Sequence, residues 1–142
     1  MIWLGFGDKG RKAELIMTKI SHIALWCNNL EESRHFYERY FEAVLLSHYR
    51  NSGTGFCSYW LGFEEGDTQL ELMYREDMAQ LESSLRQGHF AISVGSRQTV
   101  DSLTLKLKTE GVIIRGMPRI TGDGMYESVV IDPAGNIVEI TE

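Results

Sequence analysis

Cysteine is scarce in this chain: two residues, Cys27 and Cys57, which form no Cys-x-x-Cys pair. That excludes a disulfide framework and a thiolate-held structural zinc site, and both thiols fall in strand-like segments that read as buried in a reducing compartment, cytoplasm by default. Basic charge is equally thin. The net charge is -6, and Arg11-Lys12 and Lys106/Lys108 are too dispersed to form the concentrated basic face that a nucleic-acid backbone requires. No apolar run approaches the length of a membrane span, and Met1 to Gly7 meets charge too soon for a secretory signal. The expectation is a cytoplasmic protein with a small-molecule partner, no nucleic acid and no membrane. With 142 residues, the chain fits one domain of ordinary size with a core of its own.

Residues 1–16 are read as an N-terminal extension of unassigned role, and residues 17–142 as the domain. The extension contains Gly5-x-Gly7-x-x-Gly10. A dinucleotide fingerprint must join a strand to a helix, and no strand of adequate length precedes these glycines.

From there the order of elements is legible. Lys19 to Cys27 alternates like a strand, and Asn29 followed by Glu32 has the form of a capping box opening a helix to about Phe41. Three strand-like runs follow, Val44 to Arg50, Phe56 to Phe63 and Thr68 to Tyr74, separated by turn-rich segments. The polar segment 75–87 reads as a connector, after which the order repeats. Gly88 to Gly95 is a strand, Ser96 caps a helix that stops at Gly111, and strands follow at Val112 to Ile120, Met125 to Ile131 and Asn136 to Thr141. The chain therefore reads βαβββ twice, in modules of about 18–74 and 88–142.

Within each half the same two positions carry chemistry. In a strand successive side chains face opposite ways, so His22 stands opposite Ile23 and Leu25, and His89 opposite Phe90, Ile92 and Val94. Glu71 and Glu139 stand likewise in the last strand of each half. The histidines are 67 residues apart and the glutamates 68. Two imidazoles and two carboxylates on matching faces make a candidate octahedral metal site, with two positions left for water or substrate. The donor types suit Zn, Ni, Co, Fe or Mn. A lone strand histidine is often a hydrogen-bonded core residue, and one inward glutamate can satisfy an arginine such as Arg75. Four such residues in register across a repeat are harder to explain that way, because a carboxylate on an inner sheet face is costly without a partner. His35, beside Glu31 and Arg34 in the first helix, reads as a surface or packing histidine, and His48, with no carboxylate or cysteine at ligand-like spacing, as structural.

The segments around these residues resemble the vicinal oxygen chelate superfamily: Ile-Ser-His22-Ile-Ala-Leu, Gln-Leu-Glu71-Leu-Met, Gly-His89-Phe-Ala-Ile-Ser-Val and Asp-Pro-Ala-Gly-Asn-Ile-Val-Glu139-Ile. That group includes glyoxalase I, methylmalonyl-CoA epimerase, extradiol dioxygenases, and fosfomycin and bleomycin resistance proteins. The resemblance implies an α+β fold in which two βαβββ modules form a cupped eight-stranded mixed sheet with helices on the outer face. It further implies one divalent metal inside the cup, held by His22, Glu71, His89 and Glu139, and a cup built within one chain or by exchange of modules in a homodimer. The His/Glu/His/Glu set is most similar to glyoxalase I, a lyase that isomerises a thiol-conjugated substrate through an enediolate. Either Glu71 or Glu139 would then be the catalytic base.

Bacterial glyoxalase I carries arginine four residues after the first histidine and asparagine four after the first glutamate, on the glutathione side. Trp26 and Arg75 stand there in this sequence, which implies a less anionic or different thiol substrate. Tyr126 and Glu127 are further substrate-contact candidates. The alternatives within the same resemblance are a non-catalytic, drug-sequestering binding protein and an extradiol-type dioxygenase.

Overall fold

A computed structural model describes residues 19–78 and 88–142. The readings made for residues 1–16, and for all but the start of the 75–87 connector, lie outside the described residues. The first module is β1 (His22–Trp26), α1 (Leu30–Phe41), β2 (Val44–Arg50), β3 (Cys57–Gly62) and β4 (Gln69–Tyr74), followed by one 3-10 turn at Glu76–Met78. The second is β5 (His89–Ser93), α2 (Arg97–Thr109), β6 (Ile114–Ile120), β7 (Tyr126–Ile131) and β8 (Ile137–Thr141). Each module forms one four-stranded mixed sheet, ordered β1-β4-β3-β2 and β5-β8-β7-β6, with the first strand parallel to the last.

Local sequence explains the element ends. The Asn29 side chain accepts from the Glu32 amide at 3.0 Å and opens α1, while Ser96 accepts from the Thr99 amide and opens α2. Gly111, at φ 88°, supplies the left-handed residue that stops α2. Pro118 lies in edge strand β6, where pairing to β7 shifts between Gly116 and Arg119, as expected of a residue with no amide to donate.

Each helix covers one face of its own sheet, α1 against β3 and β4, α2 against β6, β7 and β8. The buried stripe of α1 is Ser33, Phe36, Tyr37 and Phe41; that of α2 is Val100, Thr104 and Leu107. Against them pack Leu25, Leu70 and Leu72 from the first sheet and Val130, Val138 and Ile140 from the second. The core therefore lies on the helix side of both sheets, and the opposite faces are left for His22, Glu71, His89 and Glu139.

The single cupped sheet expected from the sequence is replaced by two separate four-stranded sheets. Among the described residues no ladder joins edge strands β1 and β5. A cleft of about 920 Å³, with Ile23 and Phe90 among its lining residues, runs beside both edges. Contacts from α1 hold the modules together instead. The Tyr37 hydroxyl donates to Asp132 Oδ2 at 2.6 Å, the Tyr37 ring lies 6.3 Å from Phe90, and Arg39 and Tyr40 both bond Glu110.

Candidate metal centre

The pairing registers place one row of side chains across each sheet, because residues directly opposite in a ladder share a face. In the first module, Ala24, Glu71, Trp60 and Ser47 form one such row. In the second, Ala91, Glu139, Val129 and Gly116 form its counterpart. The histidine stands two residues before the alanine in both.

Strand geometry then delivers the donors. His22 Nε2 lies 4.0 Å from Glu71 Oε2, with the side chains 41% and 14% exposed. His89 Nε2 lies 3.2 Å from Glu139 Oε2, at 48% and 19%. Both imidazoles are thus half open to solvent above a mostly covered carboxylate. The Ser21 hydroxyl is 3.1 Å from His22 Nδ1; with the proton on Nδ1, Nε2 keeps its lone pair for a cation. Among the described residues no arginine or lysine pairs with Glu71 or Glu139. Among those residues the only ion-pair partner of each is its histidine. Two nitrogen and two oxygen donors of these types fit a borderline divalent cation.

The two pairs nevertheless sit on different sheets. Among the described residues, no group of three or more His, Cys, Asp and Glu side chains is placed to hold a metal ion within one chain. Each module contributes one histidine–glutamate pair.

The surroundings of the two halves differ. Around Glu71 they are aromatic: Trp60 meets the His22 ring edge-on at 4.8 Å, Trp26 meets Phe56 at 6.0 Å, and the Arg75 guanidinium lies 5.9 Å over the Trp26 ring while bonding Asp77. Around Glu139 they are charged. Glu127, only 7% exposed, shares a hydrogen bond with Glu139 and has Arg119 Nη2 3.8 Å away. Burial, followed by the charge of Glu139, pushes the Glu127 carboxyl above the usual carboxylate range, and Arg119 offsets this only in part.

Of the substrate-contact candidates, Trp26 and Glu127 lie on the donor faces, and Arg75 reaches over Trp26. Tyr126 is turned the other way. It alternates with Glu127 along β7, its hydroxyl donates to Asp101 of α2, and Arg97 stacks on its ring. Trp60 and Arg119 were not singled out from sequence. Trp60 was legible only through the β3–β4 register that sets it beside Glu71, and Arg119 was hidden by the irregular pairing of β6, which breaks simple alternation.

Residues 19–140 match the model of the Glyoxalase/Bleomycin resistance protein/Dioxygenase superfamily. The chain belongs to that superfamily. No curated protein matches it significantly. Among solved structures, the trypanothione-dependent glyoxalase I of Leishmania major is similar at 22% identity, covering 89% of this chain and 87% of that one, with a TM-score of 0.73. Lactoylglutathione lyase from Agrobacterium tumefaciens is similar at 20% identity, with 89% and 95% covered and a TM-score of 0.64. Glyoxalase I from Zea mays is similar at 21% identity and a TM-score of 0.69 over 87% of this chain, which spans 44% of the maize chain. At these identities the superfamily member shares the fold of these proteins.

Proposed function

We infer that this superfamily member is a divalent-metal-dependent lyase or isomerase of the glyoxalase I type, acting on a small oxygenated substrate carried as a thiol conjugate. One observation carries the reading: His22–Glu71 and His89–Glu139 are the same half-exposed donor pair, built at the same register on the matching face of two like sheets. A protein needing only a stable sheet has no use for a desolvated carboxylate beneath an open imidazole in both halves.

Because each chain presents its two pairs on separate sheets, a second copy is the source of the missing half. In the proposed homodimer, His22 and Glu71 of one protomer face His89 and Glu139 of its partner. A cation held there would supply Lewis-acid polarisation of two adjacent substrate oxygens. The histidines fix the ligand sphere. The glutamates are the groups placed to move a proton at the carbon beside the carbonyl, and Glu127, bonded to Glu139, positions that carboxylate.

The test is metal analysis of tag-free protein combined with turnover of methylglyoxal with glutathione and with other thiols. The reading expects about one divalent ion per chain, isomerisation with at least one thiol, and loss of both in His22→Ala and Glu139→Ala. Wild-type protein that binds small molecules without metal or turnover would identify a non-catalytic binding protein instead. Bound iron with oxygen consumption would identify a dioxygenase.

A further inference from the structure

The cleft between the modules leaves part of the core uncovered. Its floor is apolar and comes from both halves: Ile23 and Phe63 on one side, Phe90, Ile92, Val94 and Leu103 on the other. All six pack against the core yet are only partly buried. They belong to the core-side rows, as the pairing of Ile23 with Leu70 and of Phe90 with Val138 shows, so the cleft is separate from the faces that carry the histidine–glutamate pairs. Apolar side chains continuous with a core and open to water favour a cover.

The rim is unevenly charged. Glu42, Glu64 and Glu65 line it from the first module, and among the described residues none of them has an ion-pair partner. The cations that line the cleft are engaged already: Arg39 bonds Glu110, and Lys106 lies 5.9 Å over the Tyr40 ring. The uncommitted charge is therefore negative.

One segment of the chain matches both features. Residues 1–18 contain Met1, Ile2, Trp3, Leu4 and Phe6, then Lys9, Arg11 and Lys12, an apolar run followed by a basic one in an acidic protein. The segment is also attached in the right place. Lys19 pairs with Asp67 at 2.7 Å and the Ile20 carbonyl accepts from the Thr68 hydroxyl at 2.8 Å, and both Gly66 and Thr68 line the cleft. The chain thus enters the described fold at the edge of the cleft. About a dozen residues reach up to about 40 Å from there, and tethering gives such a ligand an effective concentration of about a millimolar.

We propose that this cleft is the docking site of the chain's own residues 1–18, with Ile2, Trp3, Leu4 and Phe6 on the apolar floor and Lys9, Arg11 and Lys12 against Glu42, Glu64 and Glu65. Docked there, the segment bridges the two modules and adds to the contacts that α1 makes between them. The proposal is independent of the metal-centre reading, because neither histidine–glutamate pair takes part.

Carbodiimide coupling of the full-length protein, which joins a lysine amine to a carboxylate it touches, tests the proposal. Mass spectrometry is expected to find Lys9 or Lys12 linked to Glu42, Glu64 or Glu65. When unlabelled and nitrogen-15-labelled chains are co-refolded first, each linked peptide pair should carry a single isotope. Pairs of mixed isotope would show that the segment docks on a second copy, and no coupling at these glutamates would leave the cleft to another occupant or to none; either result overturns the proposal. Trp3 gives a second readout, as the emission difference between wild type and Trp3→Phe. Acrylamide should quench it far less in the folded protein than in urea. Glu64→Lys/Glu65→Lys, a change of two exposed loop residues, should weaken docking about tenfold, the effect of turning two rim attractions into repulsions. This is read as a lower urea concentration at which Trp3 becomes fully quenchable, and Lys9→Glu/Arg11→Glu/Lys12→Glu in the same chain should restore it. Trp3 as open to acrylamide in wild type as in urea, or rim changes that neither weaken nor rescue its protection, would equally overturn the docking site.

Discussion

Tyr37 shows how a single buried group ties the modules together. The Tyr37 hydroxyl is fully buried on Asp132, whose carboxylate also accepts from the Ala134 and Asn136 amides and from the Asn136 side chain. Tyr37→Phe removes one charge-assisted bond from a group that keeps its other donors. The expected loss is about 1.5–3 kcal/mol in urea unfolding, with the m-value unchanged. Nearby, burial above all pushes the Cys27 thiol up to about 11. A thiol whose folded value is raised stays protonated in the fold while the unfolded chain ionises. Its contribution is therefore intact below about pH 9 and is lost as pH rises toward 11, about 2 kcal/mol in total by that point. Unfolding measured between pH 8 and 11 should show this slope, and Cys27→Ala should flatten it. Tyr37, whose hydroxyl is raised by the same burial, adds to the slope above pH 10. The sequence marked Cys27 as a buried thiol, but nothing local connected Tyr37 to Asp132, 95 residues away.

At the scale of elements, helix starts and strand runs were the most legible features, because each depends on neighbours in sequence. The Asn29 and Ser96 caps and all eight strands follow from alternation and turn chemistry. Asn29→Ala should cost about 1 kcal/mol, read as a lowered urea midpoint, because the Glu32 amide at the start of α1 loses its acceptor. Thr104→Val should also destabilise, by about 1–2 kcal/mol, since its hydroxyl and that of Ser128 are each other's buried partner 2.6 Å apart. Lateral register was not legible. The bulges between Leu45 and Ser47 and around Gly116 shift pairing in edge strands β2 and β6, which hid Arg119, while Trp60 emerged only with the β3–β4 register that sets it beside Glu71. The facing of Tyr126 shows the limit of reading one residue without its register: parity along β7 sends it to α2 and sends Glu127 to the donor face.

Over the whole molecule, the duplicated order of elements carried the fold, and the matched donor positions carried the candidate site. Association of the modules could not be read the same way. The repeat specifies what each sheet presents, while the relative placement of the sheets depends on side-chain contacts such as Tyr37 to Phe90 and Tyr40 to Glu110, which no periodicity encodes. In the proposed homodimer, the two histidine–glutamate pairs of each chain would make a symmetric pair of shared centres. The direct test is complementation between two crippled chains, His22→Ala/Glu71→Gln and His89→Ala/Glu139→Gln. Each is purified alone, then the two are co-refolded and their metal content measured. Neither variant alone should retain the cation, and the mixture should regain it, because one wild-type first module then meets one wild-type second module. A mixture as metal-free as its parents, from a wild type that binds metal, would contradict a centre shared between copies.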